Sequence, residues 1–140
     1  MHEQELAKVP LFRELSAREL QVLGATCHER DFTPGQVLLR QGDTAAGLFI
    51  IVSGKVRVTQ HQEGGAEHEL NTLGPGDVLG EMALLDDLPR SATATAVEPT
   101  HVLMMPVWDF RATLREHPDI GVKLLSVLSQ RLRRAEQRES

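Results

Sequence analysis

The chain is poor in several things. Of its 140 residues one is cysteine, one is tryptophan, four are phenylalanine and none is tyrosine. With Cys27 alone there is no internal disulfide and no four-cysteine iron–sulfur cluster within one chain. So few rings make a poor stacking platform for single-stranded nucleic acid. No apolar run approaches the length of a membrane span. The opening "MHEQELAKV" is polar and acidic, unlike a secretory signal. A formal net charge of −5 argues against nucleic-acid binding by the body of the chain. Together these absences lead us to expect a cytoplasmic protein of one domain, spanning 1–140, with no membrane contact and no nucleic acid contacted by this chain itself.

What is present falls into three textures. In "SARELQVLGATC", Ser16 and Glu19 form a capping box, which predicts a helix from about Ser16 to Cys27. Before it, "VPLFREL" reads as a packed turn with Leu11, Phe12 and Leu15 facing inward. From His28 to about Pro106, short apolar runs are cut by Gly, Pro and Asp. "QVLLR", "GLFIIVS", "KVRVTQ", "HELNTL", "ATATAV" and "HVLMMP" read as strands, and "PGDVLG" repeats the pattern of "PGQVLL". "KVRVTQ" alternates strictly, so one face should be buried and the other wet. Repeated strand–turn units at this spacing indicate a β-sandwich or jelly roll. After Pro106 the pattern turns helical: "PVWDFRATLREH" stops at His117-Pro118, and a second helix runs from Pro118 to the end. Its arginines, including Arg133, Arg134 and Arg138, suit the last turns and read as a solvated face.

One stretch does not fit a plain strand–turn reading. "GEMALLDDLPRSATA", from Gly80 to Ala94, places a lone Glu and a lone Arg at the ends of a short insert. Gly80 can take backbone angles closed to other residues and lets a ligand come close. "EMALL" reads as a short helix whose first N–H groups would have no internal partner, the makings of an anion site. Arg90 would add a forked, charge-assisted contact to phosphate, with Ser91 and Ala92 leaving room for it. Glu81 would repel phosphate, so it must face another part of the ligand, such as a sugar hydroxyl. A phosphate with a vicinal hydroxyl describes a nucleotide.

Gly80, Glu81, Ala83, Leu84, Pro89, Arg90, Ser91 and Ala92 resemble the phosphate-binding cassette of the cyclic nucleotide-binding domain family. The likeness extends over nearly the whole chain, taking in the turns at Gly42 and Ser53. It is strongest to the sensor domains of bacterial regulators of the catabolite activator and fumarate–nitrate regulator group. It implies a mainly β (α+β) fold: an eight-stranded antiparallel jelly roll or β-roll with an N-terminal helix, C-terminal helices and a short phosphate-binding helix inserted between strands. The segments would be an N-terminal helical part, 1–27, a β-roll, 28–106, with the cassette at 80–92, and C-terminal helices, 107–140. By the same resemblance Glu81 would hold the ribose 2′-hydroxyl and Arg90 the cyclic phosphate. Backbone N–H groups near Met82, Ala83 and Ala92 would assist, and Ser91 would reach the phosphate or the base. Arg131 of the last helix would come beside Glu81 or the phosphate.

The implied function is a non-enzymatic sensor. Its ligand would be a cyclic nucleotide, cyclic AMP favoured over cyclic GMP, with no other cofactor and no metal, and the ligand would reposition the last helix. The hydroxyl pair that reads adenine in the catabolite activator type is replaced here by Ala135 and Glu136. Other readings are a dimerisation or interaction module with an empty pocket, and the sensor part of a DNA-binding regulator. The last helix carries two apolar rows, Ile120, Leu124 and Val127 leading to Arg131, and Leu125, Leu128, Leu132 and Ala135. One would cap the roll and the other would pair with a second subunit. His61 and His68 flank a Gly64-Gly65 turn and would face each other across a two-residue hairpin loop, a weak metal motif. Asp86 and Asp87 read as a solvated loop, and Cys27 as a core thiol.

Overall fold

The structure is a computed structural model and describes residues 2–44, 46–86 and 88–139. The N-terminal part contains α1 (Glu3–Leu6), a 3₁₀ turn (Pro10–Phe12) and α2 (Ala17–Gly24). The capping box is complete: Glu19 N–H donates to Ser16 Oγ (3.2 Å) and Ser16 N–H donates to Glu19 Oε1 (2.8 Å). α2 is shorter than its sequence pattern predicts. At its end the Leu23 carbonyl accepts both the Thr26 N–H (3.0 Å) and the Thr26 hydroxyl (2.7 Å), which tightens the last turn and releases the chain. Leu11, Phe12 and Leu15 are buried.

Eight strands follow: β1 (His28–Phe32), β2 (Val37–Leu39), β3 (Gly47–Ser53), β4 (Val56–His61), β5 (Glu67–Leu73), β6 (Val78–Leu79), β7 (Thr93–Ala96) and β8 (Thr100–Pro106). They form two antiparallel four-stranded sheets, ordered β1-β8-β3-β6 and β2-β7-β4-β5. A 3₁₀ turn (Met82–Leu84) interrupts the passage from β6 to β7, and α3 (Val107–Glu116) and α4 (Pro118–Glu139) close the chain. This is the eight-stranded roll with flanking helices that the resemblance implies.

β3 is apolar from Gly47 to Val52 because both of its faces are covered there. Phe49 and Ile51 point between the sheets, with Phe32, Val56, Ala94, Ala96 and Val102. Leu48 and Ile50 point the other way, against Leu11, Phe12, Leu23, Phe110, Ile120, Leu124 and Val127 of the helical layer. Each Val, Leu, Ile or Phe side chain among them contributes roughly 1.5–3 kcal/mol. Phe12 stacks on Phe110 with ring centroids 6.3 Å apart. Cys27 packs at the edge of the helical core, where burial pushes its thiol up to about 12, so it is an unreactive core thiol.

Three features depart from the pattern reading. β1, "HERDF", carries no apolar alternation, because it is a sheet edge whose only buried side chain is Phe32. β4 does not alternate cleanly: Thr59 is buried along with Val56, and its pairing with β5 shifts register between Val58 and Thr59. The turn after β4 is also longer than two residues, so His61 stands opposite Glu67, and His68 opposite Gln60. The two histidines therefore do not face each other. Among the described residues no group of three or more His, Cys, Asp or Glu is placed to hold a metal.

On the outer edge, His101 of β8 sits between two carboxylates of β1. Its Nδ1 is 2.7 Å from Asp31 Oδ1 and its Nε2 is 2.8 Å from Glu29 Oε1. The hydrogen bond with Asp31, then that with Glu29, raises the imidazole above its ordinary range. A raised folded value means that the stabilisation is fully present below the unfolded value, near 6.5, and is lost as pH rises through the folded value. His101→Gln should therefore flatten the loss of thermal stability between about pH 5.5 and pH 8.5. Parallel melting curves for the two proteins across that window would show that another group sets the slope.

Candidate functional site

The site is built around one arginine. Arg90 follows Pro89, which forms an isolated β-bridge with Thr44. Its backbone is held by the turn after β2: the Arg90 N–H donates to Asp43 O and the Gly42 N–H donates to Arg90 O, both at 2.8 Å. The side chain turns inward, and the residue is only 9% exposed. Nη2 donates to the Gly47 carbonyl at 2.6 Å. Burial lowers its pKa from the ordinary arginine value, but a guanidinium starts high enough to stay charged. Among the described residues no carboxylate pairs with it. A buried cation satisfied only by a carbonyl is costly unless an anion completes it.

Gly80 makes that placement possible. It has φ +80°, and a Cβ on it would lie 2.0 Å from Arg90 Nη1. The next residue, Glu81, is turned away from Arg90. Its Oε1 accepts a charge-assisted hydrogen bond from Arg131 Nη2 of α4, and the two side chains are mostly buried, at 15% and 32% exposure. Thus Glu81 and Arg90 do not neutralise each other. Gly80, Glu81, Met82, Ala83, Arg90 and Ser91 line one cleft of about 390 Å³, within the range of small-ligand pockets.

The insert helix is a single 3₁₀ turn, shorter than the sequence pattern predicts. Within it the Ala83 N–H donates to Gly80 O at 3.1 Å. Ala92 lies just before β7 and is not among the cleft-lining residues. The Ser91 carbonyl accepts from Gln60 Nε2 at 2.9 Å, which ties the end of the insert to β4. Asp86 Oδ1 accepts the Leu88 N–H at 3.2 Å, a local turn contact. Asp87 lies outside the described residues.

The sequence reading missed the second anchor of α4. Opposite the cleft, Lys123 Nζ donates to Glu19 Oε1 at 2.6 Å, and Gln130 Nε2 donates to Glu14 Oε2 at 2.8 Å. Arg13 Nη2 also donates to Gln130 Oε1. Lys123 and Gln130 are two turns apart on one face, a periodicity visible in sequence, but their partners lie more than a hundred residues away. The Lys123 hydrogen bond, ahead of the capping contact, holds the Glu19 carboxyl below the usual carboxylate range.

Residues 29–117 match the cyclic nucleotide-binding domain family. The chain is 39% identical over 127 residues to the "Cyclic AMP receptor protein" of Thermus thermophilus, covering 91% of this chain and 59% of that protein. It is 39% identical over 128 residues to "Glutaminase 1" of Bradyrhizobium diazoefficiens, covering 91% of this chain but 20% of that one. In structure it is similar to the N-terminal domain of a transcriptional regulator from Streptomyces coelicolor A3(2), with TM-score 0.88, 29% identity, and coverage of 97% and 95% of the two chains. This chain belongs to the cyclic nucleotide-binding domain family. It spans about three-fifths of the length of the Thermus relative. Among the described residues no helix is long and apolar enough to cross a membrane.

The Gly80–Arg90 contact can be tested by a double-mutant cycle. Gly80→Ala adds positive-φ strain of about 1–3 kcal/mol and a clash with the guanidinium. The drop in thermal stability should be smaller when Arg90→Ala is also present, because the clash is then gone. Equal drops in both backgrounds would mean that the two residues do not meet.

Proposed function

We propose that the cleft binds a cyclic nucleotide, cyclic AMP in preference to cyclic GMP, and that occupancy is passed to α4. The observation that carries this reading is the buried Arg90 cation, which has no carboxylate partner among the described residues. A cyclic phosphate would supply the missing anion. Glu81 has lone pairs beyond the one that Arg131 uses, so it can accept a ribose 2′-hydroxyl while the ion pair persists. Gly80 leaves room for the ligand, Ser91 offers its hydroxyl, and backbone N–H groups near Met82 and Ala92 would assist. The name of the Thermus relative favours adenine. Titration calorimetry with cyclic AMP and cyclic GMP tests the proposal; affinity for neither would end it.

Two variants assign the roles. Arg90→Ala should weaken cyclic nucleotide binding about tenfold or more, given roughly 1.5–3 kcal/mol for a charge-assisted contact. Against wild type, a 2′-deoxy analogue should bind poorly, and that penalty should shrink in Glu81→Gln. An undiminished penalty would mean that Glu81 does not touch the sugar.

α4 is the proposed output. Ile120, Leu124 and Val127 bury one row on the roll, and Arg131 continues that row to Glu81. A ligand shifts α4 only by binding one of its positions better than another. A nucleotide beside Glu81 favours the position in which Arg131 is docked. Amide exchange over residues 124–134 should slow on adding nucleotide, and Arg131→Ala should reduce that effect more than the slowing over 80–92. Protection confined to 80–92 would remove α4 from the mechanism.

The second row supports a homodimer. Leu125 and Leu132 are 66% and 61% exposed, Val122 adds to them, and Leu128 is partly packed on the core. An apolar stripe at this spacing suits a helix–helix seam. Sedimentation should show a dimer that Leu125→Glu with Leu132→Glu dissociates.

A further inference from the structure

A second cleft lies on the other face of the β2-β7-β4-β5 sheet. Ala94 and Ala96 point into the core between the sheets. Thr93 and Thr95 alternate to the outer face, opposite Thr59 and Arg57 of β4. With Arg40 at the end of β2 they line a cavity of about 600 Å³, a size that suits a small ligand. Its wall is fixed by a two-pronged clip. Gln41 Nε2 donates to His61 O at 3.0 Å, and the His61 N–H donates to Gln41 Oε1 at 2.7 Å. The Gln41 N–H also donates to Thr93 Oγ1 at 2.9 Å.

The charge of this cleft runs against that of the chain. Acids outnumber Lys and Arg by 20 to 15 overall, yet the cleft holds two arginines against one carboxylate, Glu67. Glu67 Oε2 lies 3.5 Å from His61 Nε2, on the hairpin side of the cleft. Among the described residues the Arg40 and Arg57 guanidinium groups make no hydrogen bond or ion pair, and the Thr59 and Thr95 hydroxyls make no hydrogen bond. Two unpaired guanidinium groups in one cleft with threonine hydroxyls make a binding surface for phosphate oxygens.

We propose that this outer cleft is a second binding site, for a small phosphate-bearing polyanion, joined to the Arg90 site through the backbone. The joint is short. Arg40, Gln41 and Gly42 form the cleft wall, the Gly42 N–H donates to Arg90 O, and the Arg90 N–H donates to Asp43 O. An occupant drawing on Arg40 therefore pulls on the turn that holds the Arg90 backbone. The site needs no cyclic nucleotide in the other cleft, so its test stands apart from the reading above.

The probe is inorganic pyrophosphate, titrated at constant ionic strength into the isotopically labelled chain, with amide shifts read residue by residue. The expected result is saturable movement of Arg40, Arg57, Thr59, Thr93 and Thr95, with a dissociation constant of about 1 mM or tighter. The Arg90 amide should move with the same midpoint. Arg40→Gln with Arg57→Gln, both at exposed positions, should weaken that binding about tenfold or more and leave cyclic AMP affinity in pyrophosphate-free buffer unchanged. Movement of residues 80–92 alone, or shifts that sodium chloride reproduces, would overturn the site. Shifts of the outer cleft that leave the Arg90 amide still would overturn the joint. An acidic peptide that moves the same residues at lower concentration than pyrophosphate would overturn the small anion in favour of a protein partner.

Discussion

The hydrogen bond from Arg90 to the Gly47 carbonyl organises the cleft between Gly80 and Ser91. It brings a cation into a place where a cation alone is unfavourable. The surrounding structure is arranged to keep it there. Gly80 has no side chain to obstruct it, and the Gly42–Thr44 turn holds its backbone on both sides. Glu81, at the other end of the insert, is engaged elsewhere. What results is a buried positive charge whose side chain and backbone are both held by hydrogen bonds.

Much of this was legible from residue order. The turn residues and apolar runs give the strands. The Gly-Glu and Pro-Arg pairs at their spacing mark the cleft. The two rows on the last helix were visible from periodicity, and Ile120, Leu124 and Val127 are indeed the buried one. What could not be read were facts of register and of distance along the chain. β1 has no apolar period because an edge strand need bury little. His61 and His68 miss each other because the hairpin loop is longer than two residues. Glu14 and Glu19 meet α4 only once the roll has brought the two ends of the chain together.

The polar partners of α4 lie on two sides of it. Arg131 engages the cleft, while Lys123 and Gln130 engage the N-terminal segment. All of these pairs are part-exposed, and contacts of this kind contribute little to stability individually. Their weight is positional, because they fix where a helix with an exposed apolar row stands. A change at Glu81 is felt by the same helix that Glu19 holds at its other end.

β3 has a further consequence. Its odd residues, Phe49 and Ile51, belong to the core between the sheets, and its even residues, Leu48 and Ile50, belong to the core beneath the helices. One strand is thus a wall common to two compartments. Loosening the helical layer strips cover from the back of the strand on which the roll is assembled. Opening the roll removes the floor on which the helices rest. Neither compartment can melt and leave the other whole, so heat should meet a single cooperative unit, and a lesion in one compartment should lower the melting point of both.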